Sequence, residues 1–358
     1  MTTPLIVRVL RAPHSACALS LTEWDLLLRQ AARATMSATL HALLLEHGLL
    51  ERAPAPAREH LEWADALARR HAQAVRFEVG RVHAVLRRLG LPLVLLKGAA
   101  YACAGLPAAH GRLFSDIDLL VPKARLAEVE SALMLDGWAG QHHDAYDQRY
   151  YRRWMHELPP LRHIRRDSVL DVHHALLPDT APLRPEPARL LAAARALPGD
   201  PSLKVLAPED MVLHSAAHLF CGEFGHGLRE LFDLHRLLRH FGGDPRFWDL
   251  LPARAQELQL ARPLFYALRY TGRLLGTAVP AQVARAMAGT GPDRLRLALM
   301  DVLFERALLP QHASCDGLLA PAARGALYLR AHWLRMPPWL LARHLFHKAF
   351  LSPAKTAA

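Results

Sequence analysis

The stretch that decides the fold is Leu91–Val121, LPLVLLKGAAYACAGLPAAHGRLFSDIDLLV. It begins with Leu91–Leu96, an almost wholly apolar run that is typical of a short strand buried on both faces. Lys97-Gly98 then forms a turn, and the small, uncharged residues that follow over 99–110 predict a short helix. The stretch ends in Phe114–Val121, a second strand that carries two aspartates in its first half.

These aspartates, Asp116 and Asp118, lie two residues apart, so on a strand both side chains project to the same side. A later predicted strand, Val169–His173, carries Asp171, and pairing it beside the first would bring a third carboxylate to the same place. Three carboxylates repel one another unless a cation neutralises them, and Mg²⁺ prefers such oxygen ligands. The pair alone leaves an alternative open, because Asp-x-Asp is also common in solvated turns and at helix N-termini.

Helical patterns surround this α/β segment on both sides. A capping box at Ser20 and Glu23 begins a helix or helix pair that runs to Gly48, and a single apolar stripe from Leu61 to Leu89 predicts one long helix. The predicted division of the chain is an N-terminal helical region over 1–90, a core over 91–177, a Pro-rich irregular connection over 178–207 with little regular structure, and a C-terminal all-helical domain over 208–358.

Composition narrows the class of protein. The chain has 358 residues, of which 52% are hydrophobic, so a disordered tail protein is excluded. Its 44 Lys and Arg against 33 Asp and Glu give a formal net charge of +11, which favours anionic partners such as nucleotides, nucleic acid or a lipid surface. No stretch approaches the ~18 to 20 apolar residues of a membrane span, so we expect a cytoplasmic protein. Four separated cysteines predict neither a zinc knuckle nor a disulfide framework.

Several stretches together resemble one family. They are Leu95–Gly98, Arg112, Ser115–Val121, Leu170–His173, Leu206–His214, His218, Leu228–Asp233 and His332–Pro337. In them the chain resembles the uncharacterised nucleotidyltransferase family of the DNA polymerase β-like superfamily, over most of its length. The resemblance implies an α/β, helix-rich fold: a small mixed-sheet nucleotidyltransferase core flanked by N-terminal helices and a C-terminal helical domain. It also implies transfer of a nucleoside monophosphate from an NTP such as ATP to a hydroxyl-bearing acceptor, with Mg²⁺ and release of pyrophosphate.

The resemblance also implies roles for residues. Asp116 and Asp118 would bind both of two metal ions, and Asp171 would bind the catalytic ion and help to activate the acceptor. One departure concerns the turn before the aspartates, where the superfamily commonly has Gly-Gly or Gly-Ser and this chain has Lys97-Gly98. Details of triphosphate binding therefore do not carry over. On physical grounds, Gly98 permits close backbone approach and Lys97 adds a positive charge for a phosphate.

Two further residues near the aspartates are candidates for phosphate binding. Arg112 lies four residues before Asp116 and is placed to meet a phosphate, whereas Ser115 either hydrogen-bonds a phosphate or only begins the strand. His173 shares a strand face with Asp171, and we expect it to orient that carboxylate.

Residues of the helical half complete the predicted site. We expect His218 to form a wall of the nucleotide pocket; zinc binding together with His214 is an alternative that lacks a recognisable third ligand. Arg229 and Asp233, four residues apart on a helix, form either an interdomain or active-site contact or an exposed pair. The basic, amphipathic segment over 328–348 is predicted to be the last helix of a bundle, with contact to acidic lipid or nucleic acid as the alternative.

Two other functions stay open at this point. One is a non-catalytic or regulatory nucleotide-binding protein. The other is an enzyme that adds nucleotides to RNA ends, which suits the net charge of +11 although the sequence has no recognisable RNA-binding motif. The sequence does not identify the acceptor, the base, the oligomeric state or the pathway.

Overall fold

The first part of the chain folds into helices before any strand appears. The computed structural model describes residues 3–140, 152 and 154–337. The early helices are α1 Leu5–Arg11, α2 Leu21–Arg33, α3 Ser37–Glu46 and the long α4 Ala55–Arg88. The predicted capping box is present, because the Ser20 side chain and the Glu23 side chain satisfy each other's backbone N–H groups at the start of α2. Helix α4 packs against α3 and against the first strand.

The strands of the described residues form one mixed, seven-stranded sheet. They are β1 Leu93–Leu95, β2 Ile117–Leu120, β3 Trp138–Gly140, β4 Leu161–His163, β5 Val169–His173, β6 Arg195–Leu197 and β7 Asp200–Val205, in the order β3-β4-β5-β2-β1-β7-β6. Strand β1 is antiparallel to β2 and parallel to β7, and β2 is parallel to β5. Two short helices, α5 Lys97–Cys103 and α6 Leu126–Leu135, connect the first three strands.

The register between β2 and β5 positions the carboxylates. Asp118 lies directly opposite Asp171 in the parallel ladder. Leu170 and Val172, which alternate with Asp171 along β5, are fully buried in the core. Because a slip of one residue would turn these apolar side chains out of the core and the acidic ones into it, the hydrophobic pattern fixes the register.

The Pro-rich segment over 178–207 has more regular structure than the sequence predicts. Predicted to hold little regular structure, it contains helix α7 Pro187–Ala193 and the hairpin β6–β7. Prolines are compatible with these elements because of where they lie. Pro187 opens a helix, where its missing N–H costs nothing, and Pro201 precedes the residues of β7 that pair with β1. The division of the chain into domains stays a prediction.

All regular structure described beyond residue 207 is helical, as predicted. The helices are α8 Pro208–Cys221, α9 Gly227–Phe241, α10 Pro245–Glu257, α11 Ala261–Leu275, α12 Ala281–Ala288, α13 Arg294–Ala307 and α14 Ala320–Arg335. Helix α8 is central, because 12 of its 14 residues are buried and it packs against α9, α10, α11 and α14.

The predicted fold class, a helix-rich α/β fold with a mixed sheet and helical flanks, is confirmed. The first part of the predicted C-terminal helix is present as α14, which packs on α8, whereas residues 338–348 of that prediction lie outside the described residues. Within the described residues, no helix has the length and apolar character needed to cross a membrane.

Candidate active site

The three predicted carboxylates lie on one side of the sheet. Asp118 is 5% exposed, Asp171 faces it from β5, and Asp116 precedes Asp118 by two residues. Ser115 donates a hydrogen bond to Asp116, with 3.0 Å between Oγ and Oδ1. The Oδ1 atom of Asp171 is buried and has no hydrogen-bond partner among the described residues. A buried carboxylate oxygen without a partner is costly, which makes this place suitable for a cation.

The electrostatics of the carboxylates agree with this. Burial opposes ionisation of Asp118, but the charge of Lys97 and a hydrogen bond from His173 outweigh burial and hold the pKa of Asp118 well below its ordinary value. Burial, followed by the charges of Asp118 and Glu157, raises the pKa of Asp171 to about 7. Like charges that share a site separate their pKa values in this way. A divalent ion would offset the repulsion, so the residues fit Mg²⁺ held by oxygen ligands.

Lys97 lies at the turn between β1 and α5. Its backbone has φ of +43°, in the left-handed region that favours glycine. Its Nζ is 3.3 Å from Oδ1 of Asp118, so the ammonium group adjoins the carboxylates. From the sequence, we expect Lys97 to add a positive charge for a phosphate. In the structure, its ammonium group pairs with Asp118.

Gly98 lies against the guanidinium group of Arg112. A Cβ atom at residue 98 would come within 2.8 Å of Nη1 of Arg112, so the absence of a side chain leaves room for the guanidinium. Arg112 donates from Nε to Oδ2 of Asp233 at 3.3 Å and lies 5.8 Å from the centre of the Tyr101 ring. A buried guanidinium that stacks on rings and binds a carboxylate is held firmly in one place.

His173 does not orient Asp171, so that expectation is wrong. Its Nε2 lies 2.9 Å from Oδ1 of Asp118 instead. In the register of the ladder His173 is opposite Leu120, which makes Asp118 its diagonal neighbour on the adjacent strand. Diagonal positions are within reach of a long or aromatic side chain, and the imidazole reaches across rather than along its own strand.

A polar cavity of about 170 Å³ opens beside the carboxylates, between the sheet and helices α8 and α9. Of the predicted residues, those that line it are Lys97, Arg112, Ser115, Asp116, Asp118, His218 and Arg229, together with Asp233. Asp171, Gly98 and His173 are not part of its lining. The cavity also has four lining residues that the sequence did not suggest: Tyr101, Ser215, His226 and Glu230.

Helices α8 and α9 supply the wall opposite the sheet. His218 on α8 pairs with Glu230 on α9, with 2.8 Å between Nδ1 and Oε2. Burial opposes ionisation of Glu230, but the charges of His218, Arg229 and Lys97 and the hydrogen bond from His218 lower its pKa to about 2. The described groups that lie close enough to share a metal ion do not include His214 and His218, so the zinc alternative gains no support.

Arg229 and Asp233 are not an exposed pair. Asp233 is 7% exposed and accepts from Arg112, while Nε of Arg229 is buried and has no hydrogen-bond partner in the described part of the chain. Burial, and then the charge of Arg112, lowers the pKa of Arg229. A buried guanidinium nitrogen without a partner at the wall of a cavity is suited to an anion.

Two of the lining residues that the sequence analysis missed, Tyr101 and Glu230, have a helical spacing to residues that it identified. Tyr101 lies four residues after Lys97, on the same face of a short helix, and its hydroxyl is 2.5 Å from Ser215 on α8. Glu230 precedes Asp233 by three residues and shares its helix face. Ser215 and His226 depend on how α8 and α9 pack against the sheet, which no local pattern indicates.

A second cavity of about 470 Å³ shares Ser115 and Asp116 with the first. It lies against α4, and its walls combine apolar side chains such as Leu67, Val75 and Phe114 with charged ones such as Arg70 and Arg166. The two cavities therefore meet at the first aspartate of the pair.

Comparison with known proteins relates this geometry to a family. A search of curated proteins gives no match. The sequence model of a family described as uncharacterised nucleotidyltransferase matches residues 20–276, which include α2–α11, the whole sheet and every residue that lines the polar cavity. The match covers well over half of the chain. The resemblance inferred from the sequence is thereby confirmed, and the protein belongs to the uncharacterised nucleotidyltransferase family, whose members are transferases of nucleotidyl groups.

Proposed function

We propose that this protein is a Mg²⁺-dependent enzyme that moves a nucleoside monophosphate from an NTP to a hydroxyl-bearing acceptor and releases pyrophosphate. The observation that carries the proposal is the register of two parallel strands, in which Asp118 lies opposite Asp171 while Asp116 projects to the same side. Asp116 and Asp118 would hold the two ions, and Asp171 would hold one of them. Bound Mg²⁺ supplies neutralisation of the charge that develops on the phosphates.

The other side chains position the substrates. Lys97, Arg112 and Arg229 make the polar cavity attractive to a triphosphate, and among the described residues the buried Nε of Arg229 has no partner that competes with a phosphate. Ser115, at the exposed end of the strand, donates to a phosphate oxygen. The carboxylate of Asp171, whose pKa is raised to about 7, accepts the proton of the acceptor hydroxyl as that hydroxyl oxygen attacks the α-phosphate in line and pyrophosphate leaves.

The two adjoining cavities suggest where the parts of the nucleotide bind. The polar cavity of about 170 Å³ is too small for a whole NTP, since pockets for such ligands span roughly 300 to 1,000 Å³. Together with its neighbour of about 470 Å³ it falls within that range. We therefore assign the phosphates to the polar cavity and the nucleoside to the larger one, with Asp116 at their junction.

The test is transfer of label from an α-labelled NTP to components of a cell extract in the presence of Mg²⁺. We expect labelled product and pyrophosphate, and we expect Asp116→Asn to lower the rate by at least about a hundredfold while the protein stays folded. Asp249→Asn, at an exposed aspartate of α10, is the matched control and should transfer label normally.

Turnover of Asp116→Asn at the rate of the unchanged protein would refute the assignment. Treatment of the extract with ribonuclease separates acceptor classes. Loss of the labelled product would identify RNA ends as the acceptor, and its survival would point to a small molecule or a protein side chain.

A further inference from the structure

Behind the carboxylates lies a cluster of two histidines and one glutamate that the proposed reaction does not use. Glu157 forms an isolated antiparallel bridge with His173, the last residue of β5. The backbone N–H of Leu158 donates to Val172, and that of His174 donates to His156, at 2.9 and 2.8 Å. The segment that carries His156 and Glu157 is therefore fixed to the end of β5 by backbone hydrogen bonds.

This pairing brings three potential metal ligands together. One ligand atom from each of His156, Glu157 and His173 lies within 4.8 Å of the other two. Nδ1 of His173 is 3.4 Å from Oε2 of Glu157, and Nε2 of His156 is 3.9 Å from the same oxygen. Ligand atoms bound to one tetrahedral zinc ion at about 2.1 Å lie about 3.4 Å apart, so one of these distances already matches and the other needs a small movement.

His173 has a free ligand atom aimed into the cluster. The residue is 2% exposed, and its Nδ1 is buried without a hydrogen-bond partner among the described residues, even though Glu157 is close. The short distance therefore does not have the direction of a hydrogen bond. A cation between the two groups would satisfy both the nitrogen and the carboxylate.

The other ring nitrogen of His173, Nε2, supports the view that Nδ1 is available to bind a metal. Nε2 of His173 lies 2.9 Å from Oδ1 of Asp118. When Nε2 carries the proton and donates it to the carboxylate, Nδ1 has a lone pair for a metal. Histidines that bind zinc usually donate their other N–H to a carboxylate or carbonyl in this way, which fixes both the tautomer and the ring.

We propose that His156, Glu157 and His173 form a binding site for one Zn²⁺ ion, separate from the Mg²⁺ positions at the three aspartates. Two imidazoles and one carboxylate suit zinc and leave a fourth position for water, whereas Mg²⁺ favours oxygen ligands alone. The ion has a positioning role, because it anchors His173, which in turn holds Asp118. This site goes beyond the proposed function and does not depend on it.

The experiment measures zinc binding without any nucleotide. The full-length protein is stripped with a chelator, dialysed against Zn²⁺ and desalted, and its zinc content is determined by elemental analysis. Competition with a chromogenic chelator then gives the affinity. We expect one zinc ion per chain, and we expect His156→Gln and Glu157→Gln each to weaken binding at least tenfold. Circular dichroism checks that both variants are folded, and either of them suffices for the test.

Two controls define where the ion binds. His60→Gln changes an exposed histidine of α4 and should keep full zinc affinity. Asp116→Asn changes the proposed Mg²⁺ site and should also keep it. Zinc lost from Asp116→Asn but retained by the His156 and Glu157 variants would assign the ion to the aspartates and overturn the proposal. Absence of stoichiometric zinc in the unchanged protein would overturn it as well, and neither result would bear on nucleotidyl transfer.

Discussion

Lys97 combines an unfavourable backbone conformation with a functional position. Its φ of +43° is uncommon for a residue with a side chain, and conformations of this kind cost of order 1 kcal/mol. Its ammonium group lies beside Asp118 in the candidate site. A residue that keeps such a conformation next to a carboxylate is of the kind that clusters at functional sites.

Two substitutions separate the backbone of Lys97 from its charge. Lys97→Gly and Lys97→Ala both remove the ammonium group, but only glycine adopts positive φ without strain. We expect Lys97→Gly to be more stable than Lys97→Ala by about 1 kcal/mol in the free energy of unfolding. Urea denaturation of both variants measures this difference. Equal stabilities would show that residue 97 is not strained.

His235 predicts a dependence of stability on pH. This residue of α9 is 6% exposed and lies 2.7 Å from Oγ1 of Thr277; burial, followed by the charges of Arg239 and Arg236, lowers its pKa to about 4. Above pH 6.5 the ring is neutral in both the folded and the unfolded chain, and it makes no difference to stability. Below pH 6.5 the unfolded chain binds a proton that the folded protein does not, so stability falls between pH 6.5 and 4, by up to roughly 3 kcal/mol.

Replacement of His235 tests this sign. We expect His235→Gln to lose less stability than the unchanged protein when urea denaturation is compared at pH 7.5 and pH 4.5. His60→Gln, at an exposed histidine, should behave like the unchanged protein. A fall in stability that is the same with and without His235 would contradict the prediction.

At the scale of elements, strand β7 makes residues 178–207 part of the sheet rather than only a connection. Lys204 lies opposite Val94 of β1 and opposite Ala196 of β6, so β7 has neighbours on both sides at this position. Proline cannot donate to a ladder and is not tolerated in the middle of a sheet.

We expect Lys204→Pro to cost about 3 kcal/mol or more in the free energy of unfolding, or to prevent folding. Lys204→Ala is the control at the same position, and it should cost less than about 1 kcal/mol because the backbone hydrogen bonds remain. Thermal and urea denaturation followed by circular dichroism measure both variants. Similar stabilities for the two would mean that this segment is a connection, as its prolines first suggested.

At the scale of the whole molecule, the candidate site joins the sheet to the helical half. Lys97, Asp116 and Asp118 come from the sheet and its turns, whereas Arg229 and Glu230 come from α9. The ion pair of Arg112 with Asp233 crosses this junction, and both side chains are about nine-tenths buried. Breaking a buried pair by removal of one partner leaves an uncompensated charge.

Asp233→Asn keeps the shape of the side chain and removes its charge. We expect a loss of about 3 kcal/mol in the free energy of unfolding, and a smaller loss in the double variant Arg112→Met, Asp233→Leu, which removes both charges of the ion pair. Asp179→Asn, in the exposed pair with Lys123, is the control and should have a much smaller effect. A double variant that is less stable than Asp233→Asn would argue against this account.

The sequence by itself determined the two central strands, most of the helices and the carboxylates. Apolar runs identified the two central strands, a capping box and stripes identified the helices, and strand alternation put Asp116 and Asp118 on one side. These features depend on residues close together in the chain. The sequence also indicated that pairing β5 beside β2 would bring Asp171 to the same place, and the structure has this pairing.

Only the tertiary structure decided which distant groups meet. Three contacts join residues that are far apart in sequence. They are the pairing of β7 with β1, the contact of His173 with Asp118 rather than Asp171, and the ion pair of Arg112 with Asp233. Such contacts follow from the packing of strands and helices around a shared core, and no local sequence pattern encodes this packing. The glutamate beside His173 is the clearest case, because a single backbone bridge brings Glu157 there.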